Sequence, residues 1–126
     1  MLGKLPAEAV SHDIHVTAPE RGVTVEYGKY LMDTNDCRTC HGPNLNGGPF
    51  PDPTIKLISP NLTPGGEVGL WSEADFINTI RTGVTPGGHP LNEHMPWQVY
   101  KLFTDDELKA IYIYLQSLPK LPQYTK

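Results

Sequence analysis

The stretch Cys37-Arg38-Thr39-Cys40-His41 sets two thiols one helical turn apart and follows them at once with an imidazole. This spacing reads as a c-type haem attachment site. A haem carries two vinyl groups, and two cysteines so spaced can each form a thioether with one of them. The adjacent histidine then presents its imidazole to the iron from the same side, as the proximal ligand. Two rival readings use the cysteines alone. A redox dithiol expects a βαβ setting, which the flanks do not offer. A zinc site needs a second pair of ligands at finger-like spacing, and only scattered histidines are on hand.

The surrounding composition agrees with a buried prosthetic group. The chain has 126 residues, enough for one domain with a modest core. Thirteen prolines and twelve glycines against 38% hydrophobic residues describe a loop-rich protein short of apolar mass, which a porphyrin would supply. A formal net charge of −4 with both signs well mixed gives no basic stripe for nucleic acid. No apolar stretch is long enough to span a bilayer, and none reads as a signal peptide. Haem attachment to this motif takes place outside the bacterial cytoplasm. The expected location is therefore periplasmic or otherwise extracytoplasmic, with a leader already removed.

Outward from the motif, residues 1–19 read as an N-terminal arm and 20–126 as the domain proper. In the arm Ile14 and Val16 alternate with His15 and Thr17, which permits a short extended piece; His12 and His15 lack further ligands for a metal. A first helix is expected from about Val23 to Thr34, with Tyr27, Tyr30 and Leu31 on one face. Gly28 inside it costs roughly 1 kcal/mol against alanine, which a close helix approach would explain. Met32, on the element leading into the motif, reads as core. Between Gly42 and Trp71 lie six prolines and six glycines, a long loop whose Leu45, Phe50, Ile55, Leu57, Ile58 and Leu62 need a surface to pack on. Asn61 and Thr63 could donate to a haem propionate, with turn formation the alternative for Asn61.

A second helix begins after Ser72. Ser72 and Asp75 form a capping-box pair, and Trp71 and Phe76 are placed as a hydrophobic staple. Trp71 has the alternative of offering its indole N–H to a propionate. Phe76 and Ile80 share a face, Arg81 complements the C-terminal dipole, and Gly83 stops the helix. The third main helix starts after Thr104, with Glu107 completing a capping box and Phe103 and Leu108 a second staple. Its expected stripe is Leu108, Ile111, Tyr112 and Leu115, and Pro119 and Pro122 mark its end. Asp105, Asp106 and Glu107 suit the helix dipole better than a docking patch.

The opposite face of the iron decides the chemistry, since a filled site favours electron transfer and an open one gas or peroxide chemistry. Met95, in His94-Met95-Pro96-Trp97, is the first candidate: a soft, neutral thioether in a loop stiffened by proline. His94, His89 and an open site are the alternatives.

With both ligands placed, the chain resembles class I monohaem cytochrome c over roughly residues 20 to 119. It carries a helix, Cys37-x-x-Cys40-His41, a long loop, a middle helix, a Met95 loop and a last helix ending Ile113-Tyr114-Leu115. Further stretches are similar to the cytochrome c domains of bacterial alcohol and aldehyde dehydrogenase complexes. These are Gly28-Lys29-Tyr30-Leu31, Gly47-Gly48-Pro49-Phe50, Ser59-Pro60-Asn61-Leu62-Thr63-Pro64, Trp71-Ser72-Glu73-Ala74-Asp75-Phe76 and Met95-Pro96-Trp97. The resemblance implies an all-α class I cytochrome c fold: three main helices, with long Gly/Pro-rich loops wrapped around one covalent haem c. First and last helices should cross, so that Gly28 and Tyr114 meet. Many class I members set a glycine and an aromatic four apart on the first helix, whereas Gly28 and Tyr30 here are two apart. The similar dehydrogenase subunits also carry several haem motifs where this chain has one.

The function expected from these residues is a one-electron carrier, not an enzyme. Cys37 and Cys40 anchor the haem, and His41 and Met95 ligate its iron. It would work transiently with redox proteins, a dehydrogenase as donor and an oxidase or another cytochrome as acceptor, within a respiratory chain. The alternative is a haem sensor or peroxidase-like enzyme with a labile sixth ligand.

Overall fold

A computed structural model describes residues 18–125. The arm's His12 and His15 and its alternating Ile14–Thr17 segment lie outside the described residues. In chain order the elements are α1 (Val25–Thr34), α2 (Cys37–His41), β1 (Gly48–Pro49), β2 (Ile58–Ser59), a 3-10 turn (Glu67–Leu70), α3 (Glu73–Thr82), α4 (Trp97–Tyr100) and α5 (Asp105–Ser117). The architecture is all-α, as expected, with α1, α3 and α5 as the three main helices.

The helix starts follow from their caps. Thr24 accepts a hydrogen bond from the Tyr27 amide at 3.1 Å, so α1 opens at Val25, two residues later than the periodicity alone suggested. Both capping boxes form. Ser72 and Asp75 exchange bonds of 3.0 Å each, and Thr104 and Glu107 exchange bonds of 3.1 and 2.8 Å. At the far end of α3, Gly83 takes φ +75°, the left-handed turn that ends the helix. α5 stops at Ser117, ahead of Pro119.

α1 and α5 cross at Gly28. A Cβ at this position would lie 2.7 Å from the carbonyl carbon of Ala110 and 2.8 Å from Tyr114 Cβ. Only glycine lets the two backbones meet there. Around the crossing Tyr27, Leu31 and Met32 pack with Leu108, Ala110, Ile111, Tyr114 and Leu115, and α3 adds Phe76 and Ile80. Met32 is thus core, as its position implied. Tyr112 is only half-buried, and its hydroxyl donates to the Trp71 carbonyl at 2.7 Å. Trp71 packs against the core that contains Phe76, as a staple does.

The two proline- and glycine-rich loops hold more order than their composition suggests. β1 and β2 pair antiparallel, Gly48 with Ser59 and Pro49 with Ile58. Leu45 is fully buried and sits at φ +59°. The left-handed backbone costs of order 1–3 kcal/mol, and complete burial of a leucine side chain, about 1.5–3 kcal/mol, offsets it. The second loop contains a bridge between Val84 and Pro90, then the single turn α4. Neither is visible as hydrophobic periodicity.

Candidate haem and electron-transfer site

Cys37, Cys40 and His41 share the short helix α2, which Asp36 opens in a left-handed conformation at φ +56°. α2 is fastened to the helix crossing by Arg38, between the two cysteines. Its guanidinium donates to Asp33 at 2.5 Å, to the Tyr114 hydroxyl at 2.6 Å and to the Pro43 carbonyl at 3.1 Å. The motif is thereby tied to α1, to α5 and to the loop that follows it.

His41 is buried, and its Nδ1 lies 2.9 Å from the Pro60 carbonyl oxygen. A carbonyl can only accept, so Nδ1 carries the proton and Nε2 keeps its lone pair. Burial lowers the imidazole pKa, and the Pro60 bond opposes that only in part. The ring is therefore neutral at pH 7. The described residues offer Nε2 no hydrogen bond. A ring held through one nitrogen with the other free is what an iron ligand requires.

The thiols fit attachment better than redox exchange. Both are free, and burial raises Cys37 to about 11 against the opposing pull of Arg38. Catalytic dithiols have the opposite shift, toward the thiolate. Among the described residues no three His, Cys, Asp or Glu side chains converge as metal ligands do. Two unpaired thiols a turn apart and an oriented neutral imidazole together match the donor set of a c-type haem.

Met95 lies in a turn between α3 and α4. Its amide donates to the Asn92 carbonyl at 2.9 Å and its carbonyl accepts from Trp97 at 2.7 Å. Two contacts fasten that turn to α3. The Trp97 ring lies over Gly83, where a Cβ would be 2.9 Å from Cδ2. Arg81 donates to the carbonyls of Lys101 and Phe103, the latter at 2.7 Å, and pairs with Asp105 at 2.7 Å. Arg81 thus does more than meet a helix dipole. α4 then returns the chain to the motif, where the Tyr100 hydroxyl donates to the Asn35 carbonyl at 3.3 Å. Burial, followed by the neighbouring Cys37, Cys40 and Asp36, raises the pKa of Tyr100. Nothing in the sequence signalled Tyr100, because its link to the motif exists only once α4 has formed.

Of the rivals of Met95, His94 has an aromatic neighbour. The His94 ring packs tilted against Phe50, 5.0 Å between ring centroids, and lies 3.9 Å from Glu93. His89 is exposed in the turn that precedes the Val84–Pro90 bridge. Asn61 and Thr63 form a turn and bond within the protein. Thr63 Oγ1 donates to Asn61 Oδ1 at 2.7 Å, and Asn61 Nδ2 donates to the Leu121 carbonyl at 2.7 Å. The turn alternative describes Asn61, whose Oδ1 also accepts from the Thr63 amide at 2.9 Å.

A family model described as Cytochrome c matches residues 25–119. Among curated proteins the chain is 31% identical over 121 residues to a gluconate 2-dehydrogenase cytochrome c subunit of Pantoea cypripedii, covering 90% of this chain and 26% of that protein. It is 29% identical over 102 residues to a fructose dehydrogenase cytochrome subunit of Gluconobacter japonicus, covering 75% of this chain and 21% of that protein. It is 28% identical over 98 residues to the cytochrome c subunit of a quinone alcohol dehydrogenase of Gluconobacter oxydans, covering 71% and 20%. The chain spans about a quarter or less of the curated relatives it matches.

Proposed function

Because the chain belongs to the cytochrome c family, we propose that it is an extracytoplasmic one-electron carrier with His41 and Met95 as axial ligands. Membership of the family implies a covalently attached c-type haem, and Cys37-x-x-Cys40-His41 is its attachment motif. When bound, that haem supplies the Fe(II)/Fe(III) couple. The protein's part is to hold, orient and shield. Cys37 and Cys40 anchor, Arg38 locks their helix against the α1–α5 crossing, and Pro60 fixes the plane of His41.

The observation that carries the reading is the His41–Pro60 bond, which protonates Nδ1 and leaves Nε2 as an electron-pair donor. For Met95 the support is its fastened turn and the engagement of His94 with Phe50. A ligand held through both oxidation states keeps reorganisation small, which suits electron transfer. Among the described residues no helix is long and apolar enough to cross a membrane. The matched relatives are cytochrome subunits of gluconate, fructose and alcohol dehydrogenases. By analogy the donor here is a dehydrogenase and the acceptor another redox protein, met in brief encounters.

The test is the absorption spectrum of the oxidised protein. Sulfur ligation gives a weak charge-transfer band toward the red, which Met95→Ala abolishes, and the reduced variant then binds carbon monoxide readily. If the unaltered reduced protein takes up carbon monoxide just as readily at neutral pH, the sixth position is labile. The sensor or peroxidase-like reading then replaces the carrier.

A further inference from the structure

The segment after α5 does not hang free; it lies along the loop that orients His41. The Leu121 carbonyl accepts from Asn61 Nδ2 at 2.7 Å, and the Leu121 amide donates to Thr63 Oγ1 at 3.2 Å. Asn46 donates to the Pro122 carbonyl and accepts from the Tyr124 amide, each at 2.9 Å. Gly65 and Gly47 clear its path. A Cβ at Gly65 would lie 3.0 Å from the Leu121 carbonyl carbon, and one at Gly47 would run into the Gln123 amide.

Gln123 makes the most specific of these contacts. Its Oε1 accepts from the Asn61 amide at 2.9 Å, and its Nε2 donates to the Ser59 carbonyl at 3.1 Å. The two bonds bracket Pro60, which has no N–H of its own to be held by. The Asn61 N–H and the Pro60 C=O belong to one planar trans peptide and point in opposite directions. Gln123 therefore grips one edge of the peptide whose other edge accepts the His41 Nδ1 proton at 2.9 Å.

We propose that Gln123 is a positioning residue for the proximal ligand, holding the Pro60–Asn61 peptide so that its carbonyl stays aimed at His41. The proposal rests on the reading of His41 as an iron ligand. The chain of bonds runs from the Gln123 oxygen through one peptide to the imidazole, and bonds in series polarise one another. A carbonyl kept on Nδ1–H makes the imidazole a stronger donor, which favours ferric iron. Releasing the peptide weakens that donation and raises the reduction potential.

The experiment uses the full-length protein with its haem attached and compares it with Gln123→Ala and Gln123→Met. The methionine variant keeps the side-chain volume while removing both bonds, and so guards against simple unfolding. The first measurement is the ferrous-to-ferric ratio at a fixed electrode potential, expected to rise about threefold in both variants. The second is solvent exchange of the His41 Nδ1 proton in the reduced protein by NMR, expected to quicken about tenfold. A lowered melting temperature with both readouts unmoved overturns the positioning role and leaves Gln123 a mere tail anchor; unchanged behaviour in all three overturns it as well. An unaltered protein without covalent haem, or without an iron-bound histidine, would instead sink the ligation reading beneath it.

Discussion

Gly28 shows how a single residue decides between two opposing effects. Alanine is worth about 1 kcal/mol more than glycine inside a helix, so helix propensity alone favours Gly28→Ala. The added carbon would drive into the Ala110 carbonyl and Tyr114, backbone and side chain of the last helix. Overpacking of that kind costs about 1–3 kcal/mol or more, and at a backbone contact the upper end applies. Gly28→Ala is expected to lower the urea-unfolding free energy by about 2 kcal/mol, and a neutral or stabilising result would show that the crossing tolerates separation. The sequence supplied the glycine and its expected contact with Tyr114. It did not supply the reason the aromatic spacing on α1 departs from other class I members. The side chain four positions after Gly28 is Met32, buried at 3% exposure, while Tyr30 lies half-exposed and stacks on Tyr27. Leu45 was the opposite case. It stood in a run of prolines and glycines, and only its burial against the assembled helices identifies it as core.

Among the elements, the helices were legible because their signals are local. A capping box needs residues three apart, and both were read in the correct register. Thr104→Ala and Ser72→Ala should each cost about 1 kcal/mol of stability in thermal or urea unfolding. The loop from Gly83 to Phe103 was not legible in the same way. Beside Trp97 on Gly83, its fastening comes from Arg81, which reaches out of α3 to the carbonyls of Lys101 and Phe103. The partly exposed pair with Asp105 adds little, whereas bonds from a charged donor to two carbonyls are worth more. Arg81→Met keeps the bulk and removes those bonds. The variant should lose about 2 kcal/mol and, because the Met95 turn is released, bind carbon monoxide faster in the reduced state. Lost stability with an unchanged carbon monoxide rate would separate Arg81 from the Met95 turn.

For the whole molecule the issue is what keeps loops rich in proline and glycine in one arrangement. The protein core draws mainly on α1, α3 and α5, with Leu45 and Val68 as the loop contributions. A group bound only by the folded chain stabilises that fold by mass action, and a covalent group cannot dissociate. Replacing both anchors, Cys37→Ala with Cys40→Ala, should leave haem that acid-acetone extracts. The thermal transition followed by far-UV circular dichroism should then occur at lower temperature. Haem that resists extraction in this variant would contradict attachment through these two sulfurs.

By itself the sequence determined the attachment motif, the three main helices and the capping boxes of α3 and α5, because each depends on residues within a turn or two of one another; the order of these parts carried the resemblance that implied an all-α cytochrome c fold. What only the tertiary structure decided is how the motif is held. Arg38 meets Tyr114, Pro60 meets His41, Gln123 meets the peptide of Pro60, and Tyr100 meets Asn35. Each of those contacts joins parts of the chain distant in sequence. No local pattern encodes them, since their geometry exists only after α1 and α5 have crossed and the loops have been laid over them.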